Sequence, residues 1–338
     1  MSDLKDVLVT GGLGFIGSHT VLELFDNGYN PIVVDNLQNT SLSVLEGIEK
    51  IAGKKPVFYQ VDVNDTVALE NVFASHNIQS VIHFAAYKAV GESVAKPLMY
   101  YRNNVGGLIS LLEVMKKFSC AKIVFSSSCT VYGQPIDLPV AENAPVAIPT
   151  SPYGNTKKIC EEILRDSDTF QTVSLRYFNP IGAHPSAFIG ELPLGVPGNL
   201  VPFVTQTAAG IRKELIIHGN DYQTLDGTCV RDYLHVCDLA DAHIKALIRL
   251  HSPDFGAVEG HMEVFNIGTG VGYSVKQVVD AFQKVSGISL NHSYGPRRPG
   301  DVEKVWANPS KANNILLWKP KRDLDEMLRS AWNWQKTR

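Results

Sequence analysis

The chain has few cysteines and no long apolar run, and each shortage narrows what it can be. Five cysteines, at 120, 129, 160, 229 and 237, are spread through 338 residues without a CxxC pair. Such an odd, scattered set offers neither a disulfide framework nor spaced metal ligands, so reduced thiols in a cytoplasmic protein and no metal are expected. No stretch approaches the ~18 apolar residues of a membrane span. The start, Met1-Ser2-Asp3-Leu4-Lys5-Asp6, is polar, unlike a secretory signal. An excess of one charge is also missing. Lys and Arg number 31 against 34 Asp and Glu, a net −3, which gives no electrostatic reason to expect nucleic acid or an anionic membrane as partner. What is present, 44% hydrophobic and 19% charged residues, is a globular composition with room for one large or two ordinary domains.

Apolar runs without alternation recur through the first half. Val7-Leu8-Val9-Thr10 and Pro31-Ile32-Val33-Val34-Asp35 read as strands, with helical periodicity over 18–27 between them, and further strands are expected at 57–61, 80–85, 122–126 and 173–178. Continuous apolar strands separated by helices predict a doubly wound parallel α/β sheet covered on both faces. From about 180 the texture turns rich in Gly and Pro through residue 199, and long loops of that kind are usually functional. A first domain over 1–180 and a smaller mixed α/β domain over 181–338 are expected. The helix at 236–250 and strand at 263–267 are candidates to pack back on the first.

Thr10-Gly11-Gly12-Leu13-Gly14-Phe15-Ile16-Gly17 lies between the first strand and the first helix, and satisfies G-x-G-x-x-G through Gly12, Gly14 and Gly17 and G-x-x-G-x-x-G through Gly11, Gly14 and Gly17. Glycines here permit a tight turn and let backbone approach a pyrophosphate at a helix N-terminus. Asp35 ends the second strand, 18 residues after the last glycine, and is followed by Asn36-Leu37-Gln38-Asn39 with no arginine. A carboxylate there suits two ribose hydroxyls and repels a 2′-phosphate, which favours NAD over NADP. Asp62, followed by Val63, reads equally as an acceptor for the adenine amine or as a cap for the turn at Asn64-Asp65.

Tyr153-Gly154-Asn155-Thr156-Lys157 sets a phenol and an ammonium one helical turn apart. A lysine that close favours the phenolate and so makes the tyrosine a base, although the spacing alone also fits a solvated helix face.

With the glycine turn, Asp35, Ser126-Ser127-Ser128 after a strand, and the Tyr153 and Lys157 pair, the chain resembles the extended short-chain dehydrogenase/reductase family. Within it, the likeness to the UDP-glucose 4-epimerase family runs over nearly the whole length. The most specific stretches are His83-Phe84-Ala85-Ala86-Tyr87-Lys88-Ala89-Val90-Gly91-Glu92-Ser93, Arg176-Tyr177-Phe178-Asn179-Pro180, Gly219-Asn220-Asp221-Tyr222, Gly227-Thr228-Cys229-Val230-Arg231-Asp232-Tyr233 and Pro296-Arg297-Arg298-Pro299-Gly300-Asp301. The resemblance implies a Rossmann-type fold, a homodimer, and bound NAD held by Gly11, Gly14, Phe15, Ile16, Gly17, Asp35, Asn36, Asn39, Thr40, Asp62, Val63, Phe84, Ala85, Lys88, Asn103 and Phe178, with Ser128, Tyr153 and Lys157. It implies a UDP-sugar held by Lys88, Ser128, Tyr153, Asn179, Asn199, Leu200, Ile216, His218, Arg231, Tyr233, Arg298, Asp301 and Val305. The guanidinium fork suits a diphosphate.

The expected reaction is epimerisation of UDP-galactose and UDP-glucose at carbon 4. Tyr153 is its base, Ser128 the partner of the reacting oxygen, and Lys157 holds the nicotinamide ribose. Elimination on the same scaffold would want a carboxylic acid after the serine strand, where this chain has Cys129-Thr130. A non-catalytic NAD sensor would be expected to lack the Tyr and Lys pair, and a simple alcohol dehydrogenase would exchange its cofactor freely. Val305 precedes Trp306 where some relatives carry a large aromatic, so room beside the sugar's 2-position, and acceptance of UDP-N-acetylhexosamines, is expected.

Overall fold

The computed structural model describes residues 5–146, 149–257, 259–298 and 300–338; the polar start at 1–4 and Pro299 of the arginine motif lie outside the described residues. Strand and helix alternate at first: β1 (Lys5–Thr10), α1 (Phe15–Asp26), β2 (Tyr29–Asp35), α2 (Ser43–Ala52), β3 (Val57–Gln60), α3 (Thr66–Ser75) and β4 (Ile78–His83). Two short helices, α4 (Val90–Ala95) and α5 (Pro97–Tyr100), lead through a π-helical turn at Tyr101–Gly106 into α6 (Gly107–Lys117). Then come β5 (Lys122–Ser126), a 3₁₀ turn at Cys129–Tyr132, α7 (Pro152–Asp166), β6 (Gln171–Tyr177) and β7 (Asn179–Ile181). The remainder holds α8 (Leu200–Ala208), β8 (Leu215–His218), β9 (Val230–His235), α9 (Val236–Leu250), β10 (Met262–Ile267), β11 (Gly272–Ser274), α10 (Val275–Ser286), β12 (His292–Gly295), β13 (Lys304–Val305) and α11 (Leu324–Gln335).

Seven strands form one sheet in the order β10-β6-β5-β4-β1-β2-β3, every pairing parallel. Successive side chains feed opposite faces. Val7 and Val9 enter a core shared with α1 and α9, whereas Leu8 enters the one shared with α3 and α6. Two-sided burial is why these strands show no polar alternation, and the result is the doubly wound Rossmann-type sheet expected. The strand order reverses between β1 and β4, and open sheets of this kind bind ligands beyond the carboxyl ends at that point.

Boundaries differ from the sequence reading at two places that matter. Helix α1 begins at Phe15 rather than 18, directly on the glycine turn. The Gly and Pro stretch after 180 is not all loop, because β7 at its head pairs with β9. Pro180 is tolerated there as an edge position. Strand β10 joins the large sheet beside β6, and α9 packs on α1.

Strand β9 organises the second sheet, with β11 antiparallel and β13 and β7 parallel to it. Register puts Arg231 opposite Val305 and Tyr233 opposite Asn179. Helices α8, α10 and α11 close a separate apolar core beside this sheet.

Candidate active site

At the switch point the glycine turn leaves no space for side chains. Gly11 has φ +68°, and a Cβ there would lie 2.8 Å from the Ala85 nitrogen. A Cβ on Gly17 would lie 2.4 Å from the Gly11 carbonyl oxygen. Gly14 N-caps α1 without a side-chain bond, so the first N–H groups of the helix face outward with no intrahelical partner. Such a cradle fits a dinucleotide's pyrophosphate. Asp35 is buried at the end of β2, its two oxygens accepting from the Leu13 and Leu37 N–H groups at 3.2 and 2.9 Å. Burial raises its pKa, and those two bonds oppose the rise. Thr40 Oγ1 donates to the Leu13 carbonyl at 2.6 Å, tying the segment after β2 to the turn.

The rest of the expected cofactor set is mixed. Asn36 Nδ2 donates to Asp62 Oδ2 at 2.9 Å, while Asp62 Oδ1 accepts from the Asn64 N–H and side chain at 2.8 and 2.9 Å. These are the turn contacts of one of the two readings of Asp62, and Asp65, not Asp62, caps α3. Asn39 is exposed and makes no side-chain hydrogen bond among the described residues. Val63 and Phe178 are buried in the two cores, and Ile16 packs against one of them. Phe84 lies 4.6 Å from the His243 ring, centre to centre. Asn103 sits in the π-helical turn and donates to Asn104 at 2.9 Å, and Asn104 in turn donates to Thr156 Oγ1 in α7 at 3.0 Å.

Helix α7 begins where Ser151 accepts from the Gly154 N–H at 3.2 Å and Pro152 occupies its first turn. Its inward stripe carries Tyr153, Lys157 and Glu161, so the pair is not a solvated face. Gly154 lets the 3₁₀ turn approach, since a Cβ there would be 3.1 Å from the Thr130 carbonyl oxygen. That approach brings buried Ser128 near Tyr153, where its hydroxyl favours the phenolate. Thr130 steadies Ser128, donating to its Oγ from N–H at 3.2 Å and from Oγ1 at 3.0 Å.

The charges depart from expectation. Burial is the largest influence on Tyr153 and raises its pKa, with Tyr177 adding to the rise and Ser128 opposing it. Lys157 does not offset this. Its ammonium donates to the Ser126 carbonyl at 2.6 Å and lies 4.9 Å from the Phe125 ring centre, and burial pushes its own pKa down to about 8. Desolvation penalises both charged forms, so in the ligand-free chain the phenol is neutral.

On the other wall, Asp301 gathers two arginines. Arg298 donates to it from Nη2 at 2.9 Å and from Nε at 3.2 Å, and Arg231 Nη2 lies 3.7 Å away. Thr150 Oγ1 donates to the Gly300 carbonyl at 3.0 Å, which docks this loop three residues before Tyr153. Tyr233 and Val305 are buried, Val305 in the main core. Asn179 faces Tyr233 by register. Ile216 and His218 share the exposed face of β8. Leu200 opens α8, Asn199 is its N-cap, and Asn199 and Lys88 both bind Glu191.

Thr130, Tyr177 and Glu191 touch this constellation without having been singled out. Thr130 and Tyr177 lie in stretches named above for other reasons, whereas Glu191 pairs with a lysine 103 residues away, a distance that hides it in the sequence. Tyr177 and Ser126 share a hydrogen bond of 2.7 Å between their hydroxyls.

A family model described as GDP-mannose 4,6 dehydratase matches residues 8–331. The chain is 52% identical over 337 residues to UDP-glucose 4-epimerase 2 of Arabidopsis thaliana, covering 98% of this chain and 95% of that protein. The crystal structure of UDP-glucose 4-epimerase from Bifidobacterium longum in complex with NAD+ and UDP matches with a TM-score of 0.94 and 47% identity over 98% of both chains. The UDP-Glc/GlcNAc 4-epimerase from Campylobacter jejuni matches with a TM-score of 0.82 and 36% identity over 98% of this chain and 99% of that one.

Proposed function

Because the chain belongs to the UDP-glucose 4-epimerase family, we infer that it is an NAD-dependent isomerase that interconverts UDP-galactose and UDP-glucose at carbon 4 through a transient 4-keto sugar, a step of galactose metabolism. The observation that carries this reading is buried Tyr153 with Ser128 near it, in a chain whose glycine turn a single Cβ would fill.

The residues present fit NAD. Gly11, Gly14 and Gly17 would hold its pyrophosphate, Asp35 the adenosine ribose and Lys157 the nicotinamide ribose. When bound, oxidised NAD supplies a reversible hydride acceptor and a positive charge that favours the phenolate. Tyr153 would take the proton from the 4-hydroxyl and, once the hexose has turned, return it to the same oxygen. Ser128 holds the reacting oxygen. Arg231 and Arg298 bind the diphosphate, kept together beforehand by Asp301 against their mutual repulsion, and Asp301 takes a ribose hydroxyl. Held by its UDP end, the hexose is free to turn.

Elimination is disfavoured by residues 129 and 130. Burial pushes the Cys129 thiol up to about 12, and the Thr130 hydroxyl is spent on Ser128, so neither serves as a carboxylic acid. The reading includes N-acetylated substrates, on the ground that Val305 is smaller than an aromatic side chain, although it packs in the main core opposite Arg231. It also includes a cytoplasmic homodimer. All five cysteines are free, Val94, Leu98 and Ile109 leave apolar surface exposed on α4, α5 and α6, and among the described residues no helix is long and apolar enough to cross a membrane.

Rates with UDP-galactose and UDP-N-acetylglucosamine test this together. Conversion of UDP-galactose to UDP-glucose without accumulating NADH is expected, and net NADH would instead indicate a dehydrogenase. Good turnover of UDP-galactose with none of the N-acetylated sugar would remove the Val305 argument alone.

A further inference from the structure

Glu191 stands between the two halves of the cleft. It follows the Ala183 to Gly190 bridge, and its backbone carbonyl accepts from Trp334 Nε1 at 3.0 Å, so α11 fixes its place. Its Oε1 accepts from Lys88 Nζ at 3.0 Å and from Asn199 Nδ2 at 2.6 Å. Lys88 belongs to the cofactor half, its ammonium 6.0 Å from the centre of the Phe15 ring at the end of the glycine turn. Asn199 belongs to the nucleotide-sugar half. As N-cap of α8 it gives that helix no side-chain bond, and its amide nitrogen donates to Glu191. The side chain of Glu191 is 11% exposed and that of Lys88 59%, so the ion pair sits where an entering anion meets it.

We propose that Glu191 is a positioning residue that holds Lys88 and Asn199 in the ligand-free chain and yields them to the diphosphate of an arriving UDP-sugar, so that its carboxylate sets how tightly the nucleotide is held. The proposal rests on the UDP-sugar reading above. Carboxylate and diphosphate compete for the same donors. Each contact the phosphates gain is one that Glu191 loses, which leaves like charges close together. The wild-type chain therefore holds UDP less tightly than its donors alone would allow, which favours product release.

Glu191→Gln keeps the shape and removes the charge. UDP titrated calorimetrically into the NAD-loaded protein is expected to bind about three- to tenfold more tightly to this variant than to wild type. KM for UDP-galactose should fall with it, while kcat falls or holds. Glu191→Ala, with the same tightening expected, stands in if the glutamine variant does not accumulate as folded protein. Unchanged or weaker UDP binding by a variant that melts like wild type would overturn the proposal, since damage to the fold loosens a ligand and does not tighten it. Wild-type protein that neither binds UDP nor converts UDP-galactose would instead undo the functional reading beneath it.

Discussion

As the proposed base, Tyr153 depends on what surrounds it. Burial alone keeps its phenol neutral, so the proton transfer depends on the charge that the cofactor brings and on the Ser128 hydroxyl. Replacing Tyr153 with Phe removes the hydroxyl and little volume. Turnover is expected to fall about 100- to 10,000-fold, with UDP affinity held within about twofold, and steady-state rates beside UDP titration check both. Near-normal turnover would refute the assignment. Tyr153 and Lys157 were legible in the sequence because a four-residue spacing on a helix is local. That Lys157 turns to the Ser126 carbonyl was not legible, because the acceptor lies 31 residues away at the end of β5. Glu191 was hidden for the same reason, its lysine partner being 103 residues distant.

At the scale of elements, the turn from β1 into α1 has little tolerance for change. Gly17→Ala would press its Cβ on the Gly11 carbonyl and the Gly12 Cα, 2.4 and 2.8 Å away, at a cost of about 1–3 kcal/mol from overpacking. The purified variant is expected to carry less NAD, read from nucleotide released on denaturation. Gly91→Ala is the control, since nothing lies within 4 Å of a Cβ there, and equal NAD in both variants would contradict the cradle. Strands buried on both faces and the glycine turn were readable from composition and order. The π-helical turn at Tyr101–Gly106 and the pairing of β7 with β9 were not, because both come from packing that local propensity does not encode.

Across the whole molecule, burial of neutral histidines ties stability to pH. Desolvation lowers His19, His83 and His235 to about 3 and His243 to about 4. The unfolded chain binds these protons near pH 6.5 and the native chain does not. Their contribution is therefore complete above pH 6.5 and is lost as pH falls toward the folded values, by about 1.4 kcal/mol per histidine per pH unit. Asp35, Glu142 and Asp232 oppose the loss, since burial raises their pKa values and the native chain gains as they protonate. A lower Tm at pH 5 than at pH 7.5 is expected, and an equal or higher one would contradict the account. The proposed cofactor turn lies where the strand order reverses between β1 and β4. If Tyr153 moves the proton while carbon 4 gives up its hydrogen and regains it within one binding event, UDP-galactose deuterated at carbon 4 should yield UDP-glucose with the deuterium still at carbon 4. Loss of that label to water, or its appearance in free NADH, would contradict the central claim.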